Sequence, residues 1–215
     1  MRLILAIIAT KVLIIIGKLM GKKSSSTPGA IAQKICPDII TKLSKQVKKD
    51  IIAVCGTNGK TTTNNLIYSS LTGAGYKVVC NNVGANMIDG VATAFASMAN
   101  VFGKLDADYA CIEIDELSTV KVFKVMKPDY MVLTNLFRDQ LDRYGEIDIT
   151  IEALKKAVSL AGDVTLVLNA DDPLVTSFGI EIPEVRATRG DKSAVGSLGD
   201  LKIRQVQGHQ KSCDF

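Results

Sequence analysis

With 215 residues, 47% of them hydrophobic, the chain is long enough to bury one domain-sized core plus appendages. It has no tryptophan, 5% aromatic residues and much Ile and Val, which disfavours a base-stacking nucleic-acid binder and favours an α/β sheet. The formal charge is +4, but residues 1–50 hold ten Lys/Arg against two Asp/Glu, leaving −4 for the rest, so a nucleic-acid partner is not expected and an anionic surface or partner is.

Five cysteines (36, 55, 80, 111 and 213) are odd in number and scattered, as in a reducing cytoplasm without a disulfide framework. Residues 3–20 are apolar but interrupted by Lys11 and Lys18, with Arg2 ahead of them and Gly17 and Gly21 near the end. No clear cleavage site follows. Lys11 and Lys18 are seven residues apart and share a helix face, leaving the rest apolar. Segment 1–23 therefore reads as an amphipathic helix that docks on the protein or rests at a membrane surface. A transmembrane anchor is the weaker alternative, because Lys11 at its centre costs about 3 kcal/mol in hydrocarbon.

Segment 24–49 opens with a Ser/Pro/Gly break and continues as a helix over 31–49, split by Pro37. Ile39, Ile40, Leu43 and Val47 fall on one side and Lys42, Lys45, Lys48 and Lys49 on the other, a solvated helix covering the sheet edge.

Segment 50–178 has the rhythm of a domain. Ile51–Cys55 is a short β-branched run, read as a buried strand. Gly56, Thr57, Asn58, Gly59, Lys60, Thr61 and Thr62 follow, just before a helical pattern. Glycines there let backbone amides approach an anion, and the helix N-terminus adds its positive end. Lys60 is placed for the outer phosphates and the Thr61 hydroxyl for Mg²⁺. The usual longer P-loop has a glycine where Val54 stands, so this is the shorter Gly-x-x-Gly-Lys-Thr form. A glycine turn that binds nothing is the bland alternative, but a lysine and three threonines at a helix start have little packing value.

After that helix, which stops at 73–75, come a strand at 77–80, a polar loop holding Asn81, Asn82 and Asn86, and a helix over 89–98. A strand at 108–113 runs into Ile114, Asp115 and Glu116; a helix at 117–126 is closed by Pro128. Strand 129–134, helix 147–160 and strand 164–168 complete the alternation. Such alternation predicts a mostly parallel sheet with helices on both faces and ligands at the carboxyl ends of the strands. Glu113 is read as a Mg²⁺ ligand, since extended alternation points it away from Ile112 and Ile114. Asp115 and Glu116 divide evenly between that role and an ordinary acidic helix start.

The motifs Gly-Thr-Asn-Gly-Lys-Thr-Thr (56–62), Ile-Glu-Ile-Asp-Glu (112–116) and Thr134-Asn135 with Leu141-Asp142-Arg143-Tyr144-Gly145 together resemble the central ATP-binding domain of the Mur ligases. The form 137–146, with Asn-Asn-Val-Gly-Ala-Asn-Met (81–87) and Asn-Ala-Asp-Asp-Pro (169–173), is similar to one branch, the ligase subunits of lipid II isoglutaminyl synthase. The resemblance runs from about residue 28 to 177. It implies a P-loop α/β domain preceded by N-terminal helices, ATP and Mg²⁺ as cofactors, and Lys60 and Glu113 as catalytic groups. It also implies Thr61 and Glu113 as Mg²⁺ ligands, and a loop of Asn81, Asn82, Asn86, Asn135, Arg138 and Asp139 beside nucleotide or substrate, although an ordinary Asn-rich turn is an even alternative.

The implied activity is ATP-dependent activation of the D-glutamate α-carboxylate of lipid II as an acyl phosphate, then amidation by ammonia. The implied partner is a glutamine amidotransferase-like subunit forming a heterodimer. Lipid II is the substrate, met at the inner face of the membrane. Alternatives are amino-acid addition to another cell-wall precursor, or nucleotide binding alone. Most Mur ligases carry a histidine where Gln140 stands, which weakens the expectation of a second metal. Lys155 or Lys156 falls near the family's carbamylated lysine, with plain surface solvation the stronger reading. The lone His209 lies in the tail, and no acid–base triad appears. After Phe178 the strand–helix rhythm is lost, so 179–215 reads as the incomplete end of the domain and the start of a zinc-ribbon insertion led by Cys213. One cysteine cannot complete a four-ligand Zn²⁺ site, so the chain reads as a fragment, inactive alone, with apolar surface near Val132 and Leu166 left exposed.

Overall fold

The computed structural model describes residues 1–21, 26–81, 85–137, 146–181, 195–198 and 201–206. Three helices come first: α1 (Arg2–Leu19), α2 (Thr27–Ile35) and α3 (Ile39–Ser44). Then follow β1 (Ile51–Cys55), α4 (Lys60–Gly73), β2 (Val78–Cys80), α5 (Ile88–Met98) and β3 (Tyr109–Glu113). A 3-10 turn (Glu116–Ser118) leads into α6 (Thr119–Val125), β4 (Tyr130–Leu133), α7 (Glu146–Ala161), β5 (Thr165–Asn169) and α8 (Pro173–Glu181). The last two strands are β6 (Val195–Leu198) and β7 (Leu201–Val206).

All seven strands form one sheet in the order β2-β3-β1-β4-β5-β7-β6, parallel except for β6, which runs antiparallel to β7. Central β1 sits between β3 and β4, with Val54 opposite both Glu113 and Val132. Its Ile51, Ala53, Val54 and Cys55 are buried, as a strand covered on both faces requires. From β1 the chain crosses two places to β2, while later crossovers step the other way. Right-handed connections therefore put α4 on one face and α5, α6 and α7 on the other. Helix α4 packs on β1, β2 and β3, whereas α6 packs on α5 and α7. Phe95, Phe123, Ile39, Leu43 and Met126 fill the core.

The helical segment predicted over 31–49 is split at Pro37 as expected, but it begins earlier and ends earlier. Helix α2 starts at Thr27 with proline in its first turn, where the missing N–H costs nothing. Cys36 is pulled off helical geometry (φ −136°, ψ 88°) ahead of Pro37, which disfavours a helical predecessor. Lys48 and Lys49 lie beyond α3: their N–H groups donate to Ala107 and Asp108 carbonyls at 3.1 and 2.9 Å. The Lys49 ammonium rests over the Tyr76 and Tyr109 rings, 4.4 and 5.4 Å from their centroids.

The expected loss of rhythm after Phe178 is also corrected. Strand β7 pairs in parallel with the whole of β5, from Thr165 opposite Lys202 to Asn169 opposite Val206. The far edge of β5 is thus covered, Leu166 is buried and Val132 half-buried, so the expected apolar exposure there is absent.

Helix α1 docks on the protein through Ala6, Ile7, Thr10 and Gly17, against α2 and α5. Lys11 Nζ donates to Ser97 O at 2.7 Å. No helix among the described residues is long and apolar enough to cross a membrane.

Candidate functional site

The chain leaves β1 toward one face and leaves β3 and β4 toward the other. In a parallel sheet that divergence opens a crevice beyond the carboxyl ends of the strands. The β1–α4 turn lies there, walled by the ends of β3 and β4.

Residues 56–59 make the turn by conformations that side chains resist. Gly56 has φ 126° and Gly59 has φ 80°. Gly56 is constrained twice: a β-carbon would sit 2.2 Å from Thr134 Oγ1 and 2.8 Å from Asn135 O. At Gly59 the space is open, so conformation alone selects glycine. Helix α4 begins at once, with Gly59 at its cap position and no side chain capping it. Its first amides therefore face the crevice without a capping acceptor, the state that suits an anion. Thr61 and Thr62 are exposed at that end.

Lys60 is folded back across the turn. Its Nζ donates to Gly56 O at 2.5 Å and Thr57 O at 3.1 Å, and pairs with Glu116 Oε1 at 3.2 Å. Both side chains are nearly closed to solvent, 13% and 12% exposed. Burial raises the Glu116 carboxyl above the usual range, against the opposing pull of Lys60. Glu113 is buried at the end of β3, and Asp115 is half-buried. The Cys55 thiol at the end of β1 is pushed up by burial first and by Glu116, Asp115 and Glu113 next, so it stays neutral. These three carboxylates thus gather at one strand end, with Glu116 meeting the lysine.

The asparagines divide by role. Asn81 spends its amide on backbone: Nδ2 donates to Ala85 O and Glu113 O at 2.9 and 2.7 Å, and Oδ1 accepts from Glu113 N at 2.8 Å. It fixes where Glu113 lies. Asn86 offers its backbone carbonyl to the Asp115 N–H at 2.9 Å, which holds the acidic turn against the β2 loop.

Asn135 holds the glycine turn. Its Oδ1 accepts from Asn58 N and its Nδ2 donates to Asn58 O, at 2.8 and 2.9 Å. Its carbonyl accepts from Thr57 N at 2.9 Å, and Thr134 Oγ1 donates to Asn58 O at 2.8 Å. Behind this clamp stand two residues of the 169–173 motif to which sequence reasoning gave no role. Asn169 Nδ2 donates to Thr134 O at 2.8 Å, while buried Asp172 accepts from Leu136 N at 3.1 Å and from Leu174 N and Val175 N at 2.9 Å. Asp172 before Pro173 is a readable helix-start signal. Its reach to Leu136 is a tertiary contact that no local pattern announces.

Asn82, Arg138, Asp139 and Cys213 lie outside the described residues. Lys155 pairs with Glu152 at 3.4 Å on α7, and Lys156 is exposed. Uncapped amides, a left-handed glycine and a half-buried lysine fit the phosphates of a nucleotide. The Thr61 hydroxyl and the neighbouring carboxylates fit Mg²⁺, which takes few protein ligands and keeps phosphate oxygens. Among the described residues no group of three or more His, Cys, Asp or Glu is placed to hold a metal ion by itself.

Residues 54–213 match the family model described as the Mur ligase middle domain. The chain is 45% identical over 161 residues to the lipid II isoglutaminyl synthase (glutamine-hydrolyzing) subunit MurT of Staphylococcus aureus strain COL, covering 75% of this chain and 36% of that one. It is 38% identical over 152 residues to the subunit of the same description from Streptococcus pneumoniae, covering 71% and 33%. The chain spans about a third of the length of these curated relatives. Among solved structures, the Thermotoga maritima MurF ligase in complex with ADP superposes with a TM-score of 0.60 at 14% identity, covering 82% of this chain and 36% of that chain, a likeness of fold.

Proposed function

Because the chain belongs to the Mur ligase family and carries its middle domain, we propose that it holds MgATP at residues 56–62 and supplies the ligase half of a lipid II amidating enzyme. The observation that supports this most is Lys60, folded back across an uncapped helix start and held by Glu116. Similarity to two subunits described as glutamine-hydrolyzing lipid II isoglutaminyl synthases supports the substrate and the pairing with a glutaminase-type subunit.

In this reading the α4 amides and Lys60 bind the phosphate chain, and Lys60 exchanges its present carbonyl contacts for phosphate oxygens. Thr61 and Glu113 hold Mg²⁺, which screens phosphate charge when bound. Asn81 and Asn135 position Glu113 and the phosphate turn without touching the reaction. The D-glutamate α-carboxylate attacks the γ-phosphorus and ADP leaves. Ammonia then attacks the acyl carbon, and phosphate departs. Such chemistry asks the protein mainly for positioning and charge neutralisation. The lipid-borne substrate puts the protein at the cytoplasmic face of the membrane.

The test is a chimera in which residues 54–178 of this chain replace the matching segment of the Staphylococcus aureus subunit, assayed with its glutaminase-type partner, glutamine, MgATP and lipid II. Amidated lipid II from the chimera, lost with Lys60→Ala, is the expected result. A folded, MgATP-binding chimera that yields no amidated product contradicts the assignment.

A further inference from the structure

Helix α1 is apolar on two faces, and only one is used. Ala6, Ile7, Thr10 and Gly17 are buried against the protein. On the opposite side Ile4, Leu5, Ile8, Val12, Ile15 and Leu19 are exposed, Leu5 by 52%, Ile15 by 57% and Leu19 by 83%. At 100° per residue they form one stripe along the whole helix, about 27 Å for 18 residues at 1.5 Å each. Lys11 and Lys18 project along one border of that stripe and Arg2 along the other.

We propose that this stripe is a lipid-docking surface that lays α1 flat in the interface of an anionic bilayer. Charge selects the occupant. Residues 1–37 hold six Lys/Arg and no Asp/Glu, so the segment carries its positive charge unopposed. Because the protein itself takes up the second apolar face, what α1 leaves to the outside is an aliphatic face bordered by basic residues, which can settle into a headgroup boundary. Protein interface cores are instead enriched in aromatic residues, and the stripe has none. Crossing is disfavoured, because the opposite face is packed and Lys11 is bonded to Ser97. The family match begins at residue 54, so this surface lies outside the shared domain. The proposal deepens the reading of a membrane-borne substrate and rests on it only for its purpose.

The test is flotation of the whole chain with vesicles of phosphatidylcholine alone or mixed equally with phosphatidylglycerol. The chain is expected to float with the anionic vesicles at least tenfold more than with the neutral ones, since each basic residue near such a surface adds severalfold. Added salt weakens this. The triple variant Ile8→Glu, Val12→Glu, Ile15→Glu changes only exposed positions and is expected to lose flotation while keeping helical content and MgATP affinity. Three results overturn the proposal: no flotation with either vesicle, flotation unchanged by the triple variant, or a dimer split by that variant without flotation, which makes a second copy the occupant. Loss of MgATP binding with flotation intact strikes the nucleotide reading and leaves this one standing.

Discussion

Asn135 both donates to and accepts from the backbone of Asn58, so truncating it removes two bonds that set the phosphate turn. Asn135→Ala is expected to weaken MgATP binding about tenfold, since each neutral bond contributes about 1 kcal/mol and part is recovered from water. Titration calorimetry reads that, and urea unfolding should show a stability loss of about 1–2 kcal/mol beside it. Gly56→Ala and Gly59→Ala separate space from conformation. The first puts a methyl 2.2 Å from Thr134 Oγ1, the second puts one in open space. Urea unfolding should show Gly59→Ala costing about 1–2 kcal/mol and Gly56→Ala clearly more. Asp172→Ala removes a helix cap and strands the Leu136 N–H, an expected loss of about 2–4 kcal/mol in the same measurement. The strand–turn–helix geometry at 51–73 was legible because glycines closing an apolar run just before a helical pattern mark such a turn. Asn169 and Asp172 stood in a recognised motif, but their contacts to Thr134 and Leu136 were not legible, because those partners lie more than thirty positions away. Glu116, evenly balanced in the sequence, is the acid that meets Lys60 in the folded chain.

The strands carry function at one end and stability at the other. Beyond their amino ends, Asp106 pairs with Lys48 at 2.6 Å and with Lys77, just before β1 and β2. Lys48 first and Lys77 next pull the Asp106 carboxyl down to about 2. A depressed carboxylate contributes its stability above the unfolded value, roughly pH 4, and loses it as pH falls toward about 2. Asp106→Asn is therefore expected to lower the thermal midpoint near pH 7 by a small amount and to match the wild type near pH 2. Thermal melts across that window check the sign, and moderate salt should shrink the difference because the pairs are exposed. Strands β1 to β5 were readable as short apolar runs. Strands β6 and β7 were not, although Leu201, Lys202, Ile203 and Arg204 alternate apolar with charged, the period of a strand with one covered face. The many polar residues in the sequence on either side masked the alternation.

At the scale of the molecule, one topological fact places the site. The chain enters the sheet at its centre, crosses two places one way and returns the other way, so the β1 turn opens between strands whose connections leave on the opposite face. The parallel α/β class follows from strand–helix alternation, and the sequence carries that plainly. Strand order does not follow from it, because the stepping of each crossover depends on which helix faces cover which strands. The central claim is that this crevice holds nucleotide phosphates through Lys60 on an uncapped helix start. Titration calorimetry of MgATP into the chain and into Lys60→Ala, both shown folded by circular dichroism, tests it most directly. The account predicts saturable binding by the wild type and binding weakened on the order of 10- to 100-fold, or lost, in the variant; equal affinity in the two proteins, or no binding by a folded wild type, contradicts it.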